Sequence, residues 1–307
     1  MFKKLKLLKK IKTFKEFGWD VTFNYSIAKN TWFGTGGKVF CFYRPKDINE
    51  LSLFLKVIPT NFKIILLGLG SNILFRDGKF EGVVIKLGKK FNNIECNNEF
   101  LKVDCGVKDI NLSNFCLENS ISGFEFLVCI PGTIGGALRM NAGCFNQSIS
   151  DNLIEVTIMN RNGELKKIKK EDLNYKYRYV EISPDAIFID ALFLIKKRPK
   201  DLIKKKMISI ISNRKNTQPL AMRTGGSTFI NPDTVKAWQL IDKIGYRGKI
   251  VRDVQVSTKH SNFLINLGKA NSLDIETFGE EIISQVKKKT GFRLKWEIIR
   301  VGNFEKI

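Results

Sequence analysis

The sequence predicts an α+β protein of two bodies divided near residue 200, and three observations carry that prediction. A chain of 307 residues is longer than one compact core serves well, so separate lobes are expected. Strand-like runs at 39–43 and 63–67 flank an amphipathic helical stretch, which together read as a β-α-β unit. A Lys- and Ile-rich helical stretch over 201–216 follows Pro199 and leads out of the first body, and residues beyond it carry a helix and a strand of their own.

The elements follow from local chemistry. Asp47 stands as an N-cap with Glu50 three residues on, and Leu51, Phe54, Leu55 and Ile58 fall at i, i+3, i+4 and i+7, the pattern of a capped helix with one apolar face. Further strands are expected at 83–87, 101–104, 153–159 and 187–195. In the second body a helix capped at Ser272 places Ile275, Phe278, Ile282 and Val286 on one face. It ends in Lys287, Lys288 and Lys289 before the stop residue Gly291, and a closing strand is expected over 294–301. The domain plan is a basic N-terminal arm over 1–20, a first lobe over 21–200 with two subdomains split near 80–88, and a second lobe over 201–307. Leu7, Leu8, Ile11 and Phe14 recur among lysines in the arm. This reads as a solvated lead-in, although the same spacing suits an anionic membrane surface. No apolar run approaches the ~20 residues of a spanning helix.

Composition narrows the function classes. Hydrophobic residues at 43% and charged residues at 27% are those of an ordinary globular protein. Six cysteines are spread singly, with no C-x-x-C pair, and His260 is the sole histidine, so no metal site is expected. Neither disulfide staples nor a secretory cleavage site is evident, which places the chain in the cytoplasm. A net charge of +22 favours polyanions at low salt. The lysines run through every segment instead of forming a stripe, so specific nucleic-acid binding is not expected.

Three glycine-rich turns recur in the first body: Gly34-Thr35-Gly36-Gly37, Gly68-Leu69-Gly70-Ser71-Asn72 and Pro131-Gly132-Thr133-Ile134-Gly135-Gly136. Glycines let backbone N–H groups approach and ring a phosphate. A Rossmann fingerprint fails because Ile73 replaces the third glycine, and a P-loop fails because Trp32 stands where its leading glycine belongs. The recurrence, with Asn141-Ala142-Gly143 after the third turn, points to a bound dinucleotide such as a flavin. The second body adds Gln218-Pro219, Gly225-Gly226-Ser227-Thr228-Phe229, Asn231-Pro232 and Lys259-His260-Ser261-Asn262, polar groups in loops of the kind that carry binding residues. With one imidazole and no G-x-S-x-G elbow around Ser227, a serine hydrolase has little support. Taken alone, Ser227 reads as a turn residue and His260 as a hydrogen-bonded structural residue. Composition and spacing do not name a reaction.

The ordered series Asn30-Thr31-Trp32, Gly36-Gly37, Gly68 to Asn72, Ile130 to Ala137, Met140-Asn141-Ala142-Gly143, Tyr177-Arg178-Tyr179, Gln218-Pro219, Gly225 to Phe229, Asn231-Pro232, Ala237-Trp238, Leu240-Ile241-Asp242, Lys259-His260 and Asn262-Phe263 resembles the UDP-N-acetylenolpyruvoylglucosamine reductase family. The resemblance runs from about residue 20 to the end of the chain. The short path from Tyr177-Arg178 into the second body matches the class lacking an extra substrate-covering loop.

The resemblance implies an FAD-binding lobe of the vanillyl-alcohol-oxidase type and a smaller α+β substrate lobe. It implies FAD as cofactor, NADPH as electron donor, a UDP-sugar as substrate and a monomeric enzyme. By the same resemblance Ser227 is the proton donor, and Arg178 and Glu297 act beside it. Gly68, Gly70, Ser71, Asn72, Pro131, Gly132, Gly135 and Gly136 face the cofactor, and Asn231, Gln218, Lys259 and His260 face the substrate.

Departures from the family's pattern are Ile230 for a usual lysine, Arg252-Asp253-Val254 for Gly-Gly-Ala, Leu69 for a glycine and Val180 for a serine. They point to a reshaped loop and weaker substrate contacts, and because Ser227, Arg178 and Glu297 are all kept, the resemblance still implies an active enzyme. The alternatives are a flavin oxidoreductase of the same fold with another substrate, an inactive relative, or a basic nucleic-acid-binding protein.

Overall fold

The computed structural model describes residues 18–59 and 62–304. The lysine-rich stretch over 1–17 lies outside them. The chain forms two compact units. Unit 1 gathers the described residues up to Tyr25 with Phe40–Gly68 and Glu81–Ile211; unit 2 gathers Ser26–Val39, Leu69–Phe80 and the residues from Ser212 on. The last crossing between units falls inside the helix Lys200–Thr217. Two earlier segments, 26–39 and 69–80, also belong with unit 2, which a single division near residue 200 does not anticipate.

In unit 1 the helix Ile48–Val57 forms as its sequence dictates. The Asp47 carboxylate accepts from the Glu50 amide at 2.9 Å, and Leu51, Phe54, Leu55 and Ile58 are buried. Phe54 stacks on Tyr43 with ring centroids 3.7 Å apart. The two strands flanking this helix do not pair with each other. The four-stranded sheet runs Asp20–Ser26, Lys38–Arg44, Phe80–Ile85, Lys63–Leu66. Phe80–Ile85 thus lies between the flanking strands and pairs parallel to Lys63–Leu66. That strand begins and ends earlier than the apolar run 83–87 suggests, because Phe80 is buried and the chain leaves the ladder after Ile85.

A five-stranded antiparallel sheet follows, ordered Leu165–Lys169, Leu153–Met159, Ile187–Leu194, Phe100–Asp104, Ile94–Cys96. A core containing Leu101, Val103, Leu112, Phe124, Ile134 and Phe193 joins this sheet to the helices Asp109–Glu118 and Ile134–Met140.

Unit 2 is organised by the helix Ser272–Thr290, with Ile275, Phe278, Ile282 and Val286 buried and Gly291 in the left-handed region at φ 78°. Its cap is Asn271, whose side chain accepts from the Asp274 amide at 2.9 Å. Ser272, the cap expected from sequence, is already helical and gives its hydroxyl to Asp77. The closing strand expected over 294–301 is two strands. Lys295–Trp296 pairs antiparallel with Phe229–Ile230, and Ile299–Val301 pairs parallel with Ile73–Phe75. Both pieces are apolar enough to read as one run, but the chain changes partners at Glu297 and Ile298.

Candidate active site

In unit 1 the third glycine-rich turn opens the helix Ile134–Met140. Thr133 caps it, accepting from the Gly136 amide at 3.4 Å. The amides of Ile134 and Gly135 are already bonded to the carbonyls of Val107 and Cys105, each at 2.9 Å. Gly135 therefore serves close packing: a Cβ there would lie 3.1 Å from Cys105, and one at Gly132 would lie 2.4 Å from the Asp109 carboxylate. Gly136 is different. It is exposed, and a Cβ there would meet only Thr133 Oγ1, at 3.6 Å. Pro131, partly buried, precedes the turn. Gly68 packs onto the same turn, since a Cβ on it would lie 2.8 Å from Thr133 Oγ1. These tight backbone approaches with one open glycine fit a flavin nucleotide laid along the turn.

Asp109 lies under this turn. Its amide donates to the Gly132 carbonyl at 3.1 Å, its side chain is 1% exposed, and neither carboxylate oxygen has a hydrogen-bond partner. Burial pushes its pKa well above the ordinary carboxylate value. Sequence reading missed it because a helix-starting Asp ordinarily signals a solvated first turn.

Arg178 sits in a tight hairpin closed by Lys176 and Tyr179, itself at φ 55°. Its guanidinium donates to the Gly143 carbonyl at 2.8 Å and lies over the Tyr177 ring at 4.9 Å. Asn141 ends the glycine-turn helix in the left-handed region at φ 46° and donates its side-chain amide to the Lys176 carbonyl at 2.8 Å. The hairpin and the third turn are therefore one construction.

In unit 2 the first two glycine segments are stitched together. A Cβ on Gly70, at φ 69°, would lie 2.0 Å from the Asn30 carbonyl, and the Gly70 carbonyl accepts from Trp32 at 2.9 Å. Gly36 and Gly37 spend their amides on Asp77 Oδ1 at 3.1 Å and the Arg76 carbonyl at 3.2 Å, so this first turn is a packing device. Ser71 and Asn72 follow, both partly buried. The Asn72 carbonyl accepts from Ile299 at 3.1 Å, and its side-chain amide donates to the Glu297 carbonyl at 3.3 Å.

Ser227 and Glu297 lie on adjacent backbone segments. Ser227 forms a bridge with Phe263, and the next residue, Thr228, accepts from the Glu297 amide at 2.8 Å. Asn262 clamps this segment: its carbonyl accepts from Thr228 at 2.7 Å, and its side chain exchanges bonds with Phe229 at 3.0 and 2.8 Å. Glu297 thus stands at the strand break, between Thr228 and Asn72, half-buried like Ser227.

The remaining expected substrate residues have local roles. The Asn231 carboxamide oxygen accepts from Ala237 at 2.9 Å at the start of the helix Ala237–Lys243, a cap the intervening six residues hide from sequence. The Gln218 amide closes the end of the helix Lys200–Thr217 on Arg214 at 2.9 Å. Lys259 is exposed and reaches the Lys215 carbonyl at 3.3 Å. His260 Nδ1 accepts from Asn262 at 3.3 Å, and burial with the nearby Arg247 charge lowers its pKa, so it is neutral at pH 7.

Two departures acquire a physical account. Arg252 and Asp253 keep positive φ, 47° and 65°, so the handedness that glycines would supply survives. Lys269 donates to the Asp253 side chain at 2.5 Å, and Arg252 pairs with Asp274 at 3.6 Å, which offset part of the cost of about 1 kcal/mol per residue. Ile230 faces Lys295 across the antiparallel pair, so a cation stands on the same strand face. Among the described residues no group of three or more His, Cys, Asp or Glu is arranged for a metal, and no helix is long and apolar enough to cross a membrane.

Comparison with known proteins agrees with this geometry. Residues 40–169 match the family described as FAD binding domain, and residues 218–301 match UDP-N-acetylenolpyruvoylglucosamine reductase, C-terminal domain. The chain is 43% identical over 280 residues to the UDP-N-acetylenolpyruvoylglucosamine reductase of Sphingopyxis alaskensis, covering 91% of this chain and 94% of that one. It is 41% identical to that of Rickettsia prowazekii, covering 92% and 95%. The crystal structure of the Thermus caldophilus reductase superposes with a TM-score of 0.78 at 28% identity, covering 92% of this chain and 98% of that one. The chain carries an FAD-binding domain and belongs to the UDP-N-acetylenolpyruvoylglucosamine reductase family.

Proposed function

We propose that this protein catalyses the NADPH-dependent, FAD-mediated reduction of UDP-N-acetyl-3-O-(1-carboxyvinyl)glucosamine to UDP-N-acetylmuramate, a step of peptidoglycan precursor synthesis. The observation that carries the reading is the strand break at Glu297, which ties the acid to the Ser227-Thr228 segment through the 2.8 Å bond to Thr228 and to Asn72 of a glycine-rich turn. When bound, FAD would supply the hydride chemistry, with NADPH as its reductant and the terminal carbon of the substrate's double bond as the acceptor. In unit 1 the exposed Gly136, together with Gly68, Pro131, Gly132 and Gly135, would hold the cofactor.

Negative charge then develops on the carbon next to the carboxylate and spreads into it. Arg178, its guanidinium oriented by the Gly143 carbonyl, is the cation assigned to that charge. Glu297 is assigned to the same centre. Ser227 delivers the proton to the carbanion carbon: a serine hydroxyl is a weak acid, but a carbanion in contact is basic enough to take its proton. Asn231, Gln218, Lys259 and His260 are read as substrate contacts, and a neutral His260 acts there as a hydrogen-bonding group. In this reading 21–200 with its two subdomains is the FAD-binding lobe and 201–307 the substrate lobe, with 26–39 and 69–80 packing in unit 2. The enzyme is monomeric and cytoplasmic.

The test is an absorption spectrum of the purified protein under anaerobic conditions. Flavin bands bleach with NADPH and return on adding the UDP-linked enolpyruvyl sugar. A colourless protein that takes up no added FAD contradicts the proposal. Ile230 favours one second reading, a flavin oxidoreductase of this fold with another substrate, for which the bands bleach and this sugar does not restore them.

A further inference from the structure

None of the six cysteines is in a disulfide, and they divide by environment. Cys41, Cys105 and Cys116 are buried, and burial pushes their thiols up, Cys41 to about 12. Cys129 and Cys144 are only half-buried, with Sγ atoms 3.7 Å apart. Both thiols face the Phe126 carbonyl, at 3.3 and 3.7 Å. Cys129 ends the short helix Glu125–Cys129. Cys144 ends the strand Gly143–Cys144, which pairs with Gln147–Ser148 across a two-residue turn whose residues Phe145 and Asn146 both have positive φ, 52° and 58°. The pair therefore brackets the segment that holds the third glycine-rich turn, its helix and the Gly143 carbonyl to which Arg178 donates.

We propose that Cys129 and Cys144 form a dithiol modification site, oxidised to an intramolecular disulfide by a low-molecular-weight disulfide such as glutathione disulfide, and that the cross-link slows turnover by displacing the Gly143 carbonyl that orients Arg178. One cysteine thiolate attacks glutathione disulfide, forming a mixed disulfide and expelling a glutathione thiolate. The second cysteine thiolate attacks the protein sulfur of that mixed disulfide and expels the second glutathione. The protein loses two electrons and two protons, and one glutathione disulfide becomes two glutathione thiols. A disulfide bond of about 2.05 Å requires the sulfurs, now 3.7 Å apart, to approach by roughly 1.7 Å. The Gly143 carbonyl adjoins Cys144 directly, so that movement reaches the acceptor of Arg178. The effect on turnover rests on the reductase reading; the cross-link does not.

The experiment treats the FAD-loaded protein with glutathione disulfide, then quenches, alkylates and weighs it. The expected result is two fewer alkylated thiols than in the untreated protein, a mass lower by two hydrogens before alkylation, and a peptide joining Cys129 to Cys144. Turnover falls at least several-fold and returns with dithiothreitol. Cys129→Ala enzyme forms no such peptide and keeps its turnover through the same treatment. A persistent glutathione adduct, unchanged thiols or a cross-link elsewhere overturns the site, and a Cys129–Cys144 cross-link with unchanged turnover overturns its control of Arg178. Absence of turnover before treatment counts against the reductase reading, and the thiol and mass measurements still decide the site.

Discussion

The first and third glycine-rich turns share a composition and use it in opposite ways. In the first, Gly36 and Gly37 spend their amides on Asp77 and Arg76, and a Cβ on Gly36 would lie 2.6 Å from Ile27 and 2.8 Å from Phe75. In the third, Gly132 and Gly135 pack against Asp109 and Cys105, while Gly136 is exposed at the start of a helix and a Cβ on it would meet only Thr133 Oγ1, at 3.6 Å. Glycine content alone does not separate a turn whose Gly-Gly pair is packed against the chain from one that leaves a member of its pair exposed. What separates them is how closely other atoms crowd each glycine, and that depends on residues far away in sequence.

Substitution at the two turns sharpens the contrast. Gly36→Ala must accommodate both the steric conflict and a φ of 128°, and we expect a loss of about 3 kcal/mol in unfolding free energy, read from the denaturation midpoint, with no selective loss of FAD affinity. Gly136→Ala keeps or slightly raises stability, since alanine is favoured over glycine in a helix by up to about 1 kcal/mol. It raises the FAD dissociation constant at least tenfold, or about 1.4 kcal/mol, as followed by flavin fluorescence. Unchanged affinity in the second variant would erase the distinction between the turns.

Asp109 gives a smaller, pH-dependent probe of the same region. Its folded pKa is raised by burial, so the folded state holds a proton that the unfolded chain releases above about pH 3.9. The stability linked to this group is fully present below that pH and is lost as pH rises through the folded value. Asp109→Asn should flatten the fall in stability on the alkaline side. An unaltered pH profile in denaturant titrations would show that this carboxyl is not held protonated beneath the third turn.

These features were unequally legible in the sequence. The helices over 48–57 and 272–290 announce themselves because a cap and an i, i+3, i+4, i+7 stripe are local. The association of 69–80 with unit 2 is not local: Asp77 binds Ser272, and no periodicity connects residues so far apart. The strand break at Glu297 was hidden because both halves of the 294–301 run are apolar and each finds a different partner. The family's motif marks Ser227 and Arg178 as candidates, whereas Asn262 as the clamp on Thr228-Phe229 and Asn231 as a helix cap are visible only once the backbone is traced. Arg252 and Asp253 carry the opposite lesson, since a backbone can keep a left-handed turn after its glycines have gone.

The central claim, that Ser227 donates the proton in the substrate half-reaction, is tested most directly by stopped-flow absorption of Ser227→Ala enzyme in each half-reaction separately. We predict that flavin reduction by NADPH proceeds as in the parent enzyme while reoxidation by the enolpyruvyl sugar slows by about 10²–10⁴-fold. Equal slowing of both half-reactions, or none in the second, would contradict it.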